Sequence, residues 1–167
     1  MLKQALDAIR NQADAVGAWF LPDVTMLKMD RSCQLDRFSC GAQCVYMIMS
    51  VFGKPKAVCC IAGALDVGEK GVGPTRLREF LERHGLKTRR KNRATLEDIK
   101  RAIAKGSPVL LCSKDGGHWI VAFGFTKDAV CVADPSICVR SLRTRWPDAK
   151  FEAYRDRVAY IVSEEEP

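Results

Sequence analysis

The strongest constraint on the fold is a change of sequence pattern at Gly106. Before this glycine, apolar residues recur at helical spacing, whereas after it they form short runs rich in β-branched residues. These later runs are PVLLCS, HWIVAFGF, AVCVADP and RVAYIV. Their close spacing favours antiparallel strands over strands joined by crossover helices. The sequence therefore predicts an α+β fold, with a helical half followed by a sheet half.

Five helices are predicted before Gly106, each ending near a glycine or proline. They cover residues 2–16, 39–53, 56–66, 74–85 and 95–106. We predict one domain over residues 1–167, divided into three parts. These are an N-terminal helical extension, a helical lobe and a sheet lobe, at residues 1–32, 33–105 and 106–167.

Composition narrows the classes of protein that the chain can represent. Apolar residues make up 47% of the sequence and charged residues 28%, as in soluble globular proteins. No apolar run reaches the roughly 18 residues that span a bilayer, and the N-terminus lacks the apolar centre of a signal peptide. We therefore expect a cytoplasmic protein that has no membrane partner and no transporter segment of its own.

The eight cysteines do not form a pattern typical of a metal site. Several lie inside apolar runs, where a reduced cysteine packs as a small hydrophobic residue. The chain has no Cys-x-x-Cys pair and only two histidines. We expect reduced thiols and no metal.

The net charge of +7 is most concentrated in KTRRKNR, residues 87–93. We predict that this segment is a solvated loop and helix face, and we keep docking of an acidic protein as the alternative. No aromatic residues alternate with these charges, so nucleic acid is a less favoured partner.

Cys40 is the candidate nucleophile because it follows a polar loop and opens an apolar helix, with Gly41 and Ala42 leaving its surface uncrowded. Backbone N–H groups and the positive end of the helix dipole favour a thiolate at a helix N-terminus. The alternative is that Cys40 is merely the first residue of a buried helix.

Three further residues complete the candidate site. His118 follows two glycines at the start of a predicted strand, where its ring can face a cleft as a general base. Asp134 ends the next strand, within reach of that ring. Gln34 precedes the helix by six residues and offers an amide N–H to an oxyanion. The other histidine, His84, lies in the last turn of a charged helix and is predicted to be structural.

The order Gln, Cys, His, Asp resembles papain-like cysteine proteases, and more closely the bacterial double-glycine leader peptidases. The matching segments are QLDRFSCGAQC, GVGPTRLREFLERHGL, TLEDIKRAIAKG, PVLLCS, GGHWIVAFG and ADPS, over roughly residues 33–136. Cys44, one turn after Cys40, matches a buried packing position. Ser39 departs from the family pattern, which usually has an aspartate immediately before the cysteine.

The resemblance implies a papain-like fold and an enzyme without metal or organic cofactor. It makes Gln34 the oxyanion-hole residue, Cys40 the nucleophile, His118 the general base and acid, and Asp134 the group that orients His118. It also implies a protein or peptide substrate that is cut after a Gly-Gly pair.

Several biological settings fit these expectations. We favour a bacterial effector or toxin that is delivered into a target cell and has a cognate immunity or inhibitor protein. A stand-alone leader peptidase that matures bacteriocin-like precursors is the alternative. A Cys-His-Asp transglutaminase or deamidase, and a peptide-binding module without turnover, remain as rival classes.

Overall fold

The computed structural model describes residues 24–34, 36–136 and 144–164. Within these ranges five helices alternate irregularly with seven strands. The helices are α1 (Cys40–Val51), α2 (Val58–Ala64), α3 (Pro74–Arg83), α4 (Leu96–Ala104) and α5 (Asp148–Tyr154). The strands are β1 (Val24–Met26), β2 (Leu86–Lys91), β3 (Val109–Ser113), β4 (Trp119–Thr126), β5 (Ala129–Ala133), β6 (Thr144–Pro147) and β7 (Arg155–Glu164).

The helix boundaries follow local chemistry. Helix α3 has Pro74 in its first turn, where the missing N–H costs no intrahelical hydrogen bond. Helix α4 begins at a capping box, in which the Thr95 hydroxyl accepts from the backbone N–H of Asp98 and the Asp98 carboxylate accepts from that of Thr95. Helix α1 is buried along nearly its whole length, which explains its scarcity of charged residues.

All seven strands belong to one antiparallel sheet, with the order β2-β7-β3-β4-β5-β6 and with β1 paired to β4. Strands β3, β4 and β5 are buried on both faces because helices cover the sheet on both sides. Alternate residues along these strands therefore enter two separate cores.

Helices α1, α2 and α3 pack on one face of the sheet, and α4 and α5 pack on the other. Val121 and Phe123 of β4 point into the first core, while Ile120 and Ala122 point into the second. The first core places the N-terminus of α1 against the start of β4. That contact brings Cys40 to the beginning of the strand that His118 precedes.

The α+β architecture and the four helices predicted between residues 39 and 106 are confirmed. The predicted helix over residues 2–16 lies outside the described residues. Strands β1 and β6 and helix α5 were not predicted. None of the helices in the described part of the chain is long and apolar enough to span a bilayer.

The interpretation of residues 87–93 as a solvated loop and helix face was wrong, because most of this segment forms strand β2. Every β2 residue, from Leu86 opposite Glu164 to Lys91 opposite Ala159, pairs with β7. Leu86 and Thr88 are buried, and they alternate with exposed Lys87 and Arg89. The basic side chains hid this alternation, since charged residues on a strand remain compatible with burial of the intervening positions.

Candidate active site

Cys40 is the first residue of α1, and only 4% of its surface is exposed. Its sulfur accepts hydrogen bonds from the His118 ring and from backbone N–H groups of Trp119 and Gly41. Burial opposes ionisation of the thiol, but these hydrogen bonds and the charge of His118 outweigh it. The pKa of Cys40 is therefore lowered from its usual value of 9.0.

His118 lies in the two-glycine turn before β4 and joins two acidic partners. Its Nε2 lies 2.7 Å from Oδ1 of Asp134, so the other ring nitrogen, Nδ1, is the one that forms the hydrogen bond with Cys40. Burial disfavours the charged ring, but the hydrogen bonds and negative charges of Asp134 and Cys40 prevail. They raise the pKa of His118 from 6.5 to about 9.

Asp134 follows β5 and is held by a short turn. Besides His118, its Oδ1 accepts the backbone N–H of Ser136 at 2.9 Å and the Ser136 hydroxyl at 2.7 Å. Burial favours the protonated acid, yet the hydrogen bonds from His118 and Ser136 lower the pKa of Asp134 below its usual value. The carboxylate is therefore ionised and fixed in place. Sequence reasoning missed Ser136, although Asp-Pro-Ser is a pattern in which an Asp side chain binds the residue two positions later.

Cys40, His118 and Asp134, three of the four predicted site residues, thus lie in one hydrogen-bonded chain. Because the pKa of the thiol falls and that of the imidazole rises, this chain favours the thiolate–imidazolium pair. A thiolate attacks carbonyl carbon, and an imidazolium can donate a proton to a leaving amine. The arrangement is therefore suited to acyl transfer through a thioester.

Gln34 lies at the margin of this chain. Its backbone N–H donates to the carbonyl of Pro135 at 2.9 Å, which joins the loop before α1 to the turn that carries Asp134. Its side-chain Nε2 donates to the carbonyl of Asp36 at 2.8 Å. The structure therefore places the Gln34 backbone against the turn that carries Asp134, and its side-chain amide against Asp36.

The family model of the peptidase C39 family matches residues 29–165. This chain belongs to the peptidase C39 family. It is a papain-like cysteine peptidase, as the sequence predicted. Among curated proteins, no significant match to the chain was found.

Solved structures with the same fold include three peptidase domains. A double-glycine motif protease from an AMS/PCAT transporter, solved in complex with the leader peptide, is 15% identical with a TM-score of 0.69, over 84% of this chain and 95% of that one. The peptidase domain of Streptococcus ComA, a bifunctional ABC transporter of a quorum-sensing pathway, is 16% identical with a TM-score of 0.70, over 83% and 99%. The C39-like domain of a toxin secretion ATP-binding protein from Vibrio parahaemolyticus is 18% identical with a TM-score of 0.59, over 78% and 99%.

In this peptidase, Asp36 organises the loop in front of the candidate nucleophile. Its Oδ1 accepts the backbone N–H groups of Phe38 at 2.8 Å and Ser39 at 2.7 Å, while its carbonyl accepts the Gln34 amide. An aspartate is therefore present near the cysteine, but it lies four residues before Cys40 instead of immediately before it. The spacing of an Asp two and three residues before these N–H groups was the signal that sequence reasoning overlooked.

A contact between Gly41, Val72 and Trp119 joins α1 to β4 next to the site. The Trp119 indole Nε1 donates to the Val72 carbonyl at 2.9 Å. A methyl group built on Gly41 would overlap the Val72 side chain and would lie 3.4 Å from Trp119 Cδ1. We call these three residues the α1–β4 clasp.

The clasp corrects the expectation that Gly41 leaves the surface beside Cys40 uncrowded. Gly41 is buried, and its missing side chain is what lets β4 approach the nucleophile helix. Because Cys40 precedes Gly41 and His118 precedes Trp119, the clasp fixes the separation of the sulfur and the imidazole. A contact made across the fold leaves no local signal in the sequence.

The remaining candidate groups lie away from this chain of hydrogen bonds. His84 caps the end of α3, where Nδ1 lies 2.7 Å from the Phe80 carbonyl and the ring stacks on Phe80, in agreement with a structural role. Cys44 is fully buried one turn after Cys40. Within the ranges that the structure describes, the cysteines are reduced and no three His, Cys, Asp or Glu side chains could hold a metal ion.

Proposed function

We propose that this peptidase hydrolyses peptide bonds with Cys40 as nucleophile, His118 as general base and acid, Asp134 as the group that orients His118, and Gln34 as an oxyanion donor. The observation that carries the proposal is the hydrogen-bonded chain from Cys40 through His118 to Asp134, in which the thiol pKa is lowered and the imidazole pKa is raised. Opposed shifts of this kind mark a nucleophile and its acid–base partner.

In the proposed mechanism, the Cys40 thiolate attacks the scissile carbonyl and forms a tetrahedral intermediate. The backbone N–H of Cys40 and the Gln34 amide stabilise the oxyanion. The amide carries two N–H donors, and its bond to Asp36 fixes the orientation of the group that delivers them. His118 then protonates the leaving amine, and water hydrolyses the resulting thioester with His118 as base.

We propose that the scissile bond follows a Gly-Gly pair in a protein or peptide substrate. Membership of the C39 family supports this specificity, and one protein of the same fold is a double-glycine motif protease solved with its leader peptide. The test is cleavage of a synthetic peptide that contains Gly-Gly, compared with peptides in which either glycine is alanine. Cleavage of the Gly-Gly peptide alone is expected, and equal turnover of all three would reject the specificity.

As the biological setting, we propose an effector that cleaves proteins in the cytoplasm of a target bacterium and is held in check by an immunity protein. The basic character of the chain, with a net charge of +7, supports action on protein targets. Maturation of leader peptides is the alternative. Cytosolic expression of wild type should be toxic and expression of Cys40→Ala harmless, whereas equal growth of both strains would favour the maturase.

Proteomic mapping of new N-termini tests the reaction class. Extracts treated with wild type should gain N-termini that follow Gly-Gly, and extracts treated with Cys40→Ala should not. Deamidated or crosslinked glutamines without backbone scission would identify a deamidase or transglutaminase instead.

A further inference from the structure

Strand β2 lies at the edge of the sheet. It pairs with β7 over its whole length, and no described strand pairs with its other side. One row of its backbone N–H and C=O groups therefore faces outward along six residues. An edge of this kind is able to accept another extended segment as an added strand.

The positive charges on this edge are concentrated in one short segment, and most of them lack a counter-ion among the described residues. Lys91 pairs with Asp98 of α4 at 2.7 Å. Lys87, Arg89 and Arg90 are exposed, and none of them forms an ion pair with any described residue.

Side chains along β2 alternate between the two faces of the sheet. Lys87 and Arg89 share the face of Lys91, on the side of α4, whereas Arg90 shares the opposite face with buried Thr88. Exposed Arg93 continues the positive charge into the following turn. The outer edge of β2 is therefore flanked by positive charge on both faces, and we call Lys87, Arg89, Arg90 and Arg93 the basic edge.

The composition of β2 disfavours two other kinds of partner. Two copies of this chain paired through β2 would set cation against cation, which is unfavourable across strands. The strand carries no aromatic residue on which a nucleic-acid base could stack. An extended segment rich in aspartate and glutamate fits this edge, because its backbone can pair with the open strand and its side chains can reach the unpaired cations.

We propose that the basic edge binds an extended acidic segment of a protein partner by adding it to the sheet as a strand beside β2. Acidic side chains two residues apart contact Lys87 and Arg89 on one face, and the residue between them faces Arg90 on the other. Charge attraction gives the contact its selectivity, and main-chain hydrogen bonds give it its geometry.

The bound segment leaves the candidate active site open. Strands β7 and β3 lie between β2 and β4, so the edge is about 14 Å from the strand that His118 precedes, at about 4.8 Å per strand. Hydrolysis of a short peptide is therefore expected to continue while the basic edge is occupied.

The test measures binding of a fluorescent eight-residue peptide of alternating Glu and Val by anisotropy. A peptide with the same glutamates and Pro in place of every Val is the backbone control, since Pro lacks the N–H that a strand needs. Wild type should bind the Glu-Val peptide more tightly, with affinity that falls as salt is added. Equal binding of both peptides would overturn strand addition.

Variants assign the binding to the basic edge. The double variant K87E/R89E should weaken binding of the Glu-Val peptide at least about tenfold. K87Q/R89Q should weaken it less. The matched control K70E/K127E makes the same change of net charge at two exposed lysines elsewhere and should bind as wild type. Equal loss in both Glu double variants would overturn the assignment, as would tighter binding of single-stranded DNA than of the Glu-Val peptide to wild type.

Hydrolysis of a short Gly-Gly peptide by K87E/R89E should match that by wild type. This readout separates failure at the edge from failure of the proposed catalytic site.

Discussion

The first and second turns of α1 each carry a buried cysteine, and the pKa values of the two thiols are shifted in opposite directions. Cys40 is 4% exposed and Cys44 is 0% exposed, so burial alone hardly separates them. Burial raises the pKa of Cys44 far above its usual value, and the negative charges of Cys40 and Asp134 add to that effect. The pKa of Cys40 is lowered, because hydrogen bonds from His118 and the Trp119 backbone outweigh its burial.

This difference shows that placement against β4 decides which cysteine can react. One turn of helix, about 5.4 Å, is enough to take a sulfur out of reach of the imidazole. The first turn is held to β4 by the α1–β4 clasp, and the second turn packs only in the core. The largest effects are therefore expected from changes in the first turn and its partners.

Replacement of each cysteine by alanine should give the largest difference between the two turns. Cys40→Ala should reduce hydrolysis of a Gly-Gly peptide to below about one-thousandth of wild type, because the nucleophile is lost. Cys44→Ala should keep kcat/KM within about threefold and should lower the free energy of unfolding by about 1 kcal/mol through loss of packed volume. Peptide hydrolysis and denaturant unfolding measure the two quantities. Comparable activity loss in both variants would end the distinction.

Removal of the imidazole should make Cys40 in the first turn resemble Cys44 in the second. His118→Ala should lower kcat/KM by about a hundred- to ten-thousandfold, since the acid–base group is absent. It should also raise the pKa of Cys40, because burial would then act without its main opposing interaction. The thiolate absorbance of Cys40, measured against pH in a comparison with Cys40→Ser, reports that pKa. An unchanged thiol titration would contradict the role of His118.

A methyl group on Gly41 should disturb the clasp. Gly41→Ala places the new Cβ in conflict with Val72, so the overpacked variant should lose about 1–3 kcal/mol of unfolding free energy. Displacement of Cys40 from His118 should also lower kcat by about tenfold or more. The matched control is Gly63→Ala in α2, where a Cβ would meet nothing within 4 Å. That variant should keep full activity and gain up to about 1 kcal/mol. Full activity in Gly41→Ala would show that the clasp does not position the thiol.

The pH dependence of activity tests the ionisation of Cys40 and His118 without a substitution. Activity should be greatest while Cys40 is ionised and His118 is protonated, and it should fall as pH rises through about 9, where His118 loses its proton. The raised pKa of His118 also contributes stability that is fully present below its unfolded value of 6.5 and is lost as pH rises through about 9. Profiles of kcat/KM and of unfolding against pH measure both effects. A rate that still increases above that pH would contradict the assignment.

The sequence allowed prediction of residues that stand at element boundaries. Cys40 opens a helix after a polar loop, His118 opens a strand after two glycines, and Asp134 follows a strand. Each position has a local signal, so their convergence could be expected from the order of the elements. The α+β class followed in the same way from the change of pattern at Gly106.

Contacts between distant segments could not be predicted. The clasp joins Gly41, Val72 and Trp119 across three segments of the chain, and nothing in the residues near Val72 indicates that its carbonyl accepts an indole N–H. Strand β2 was missed for a related reason. Its pairing with β7, and not its own composition, makes a segment with four cationic residues into a strand.

The most direct measurement is the rate of alkylation of each cysteine by iodoacetamide as a function of pH, read by mass spectrometry of the folded protein. Cys40 should react at neutral pH, because its pKa lies below the usual thiol value of 9.0, and this reactivity should be lost in His118→Ala. Cys44 should remain unmodified, and exposed Cys59 provides the internal reference. A Cys40 rate that rises with pH in parallel with that of Cys59, or a Cys40 that does not react while the protein is folded, would contradict the account.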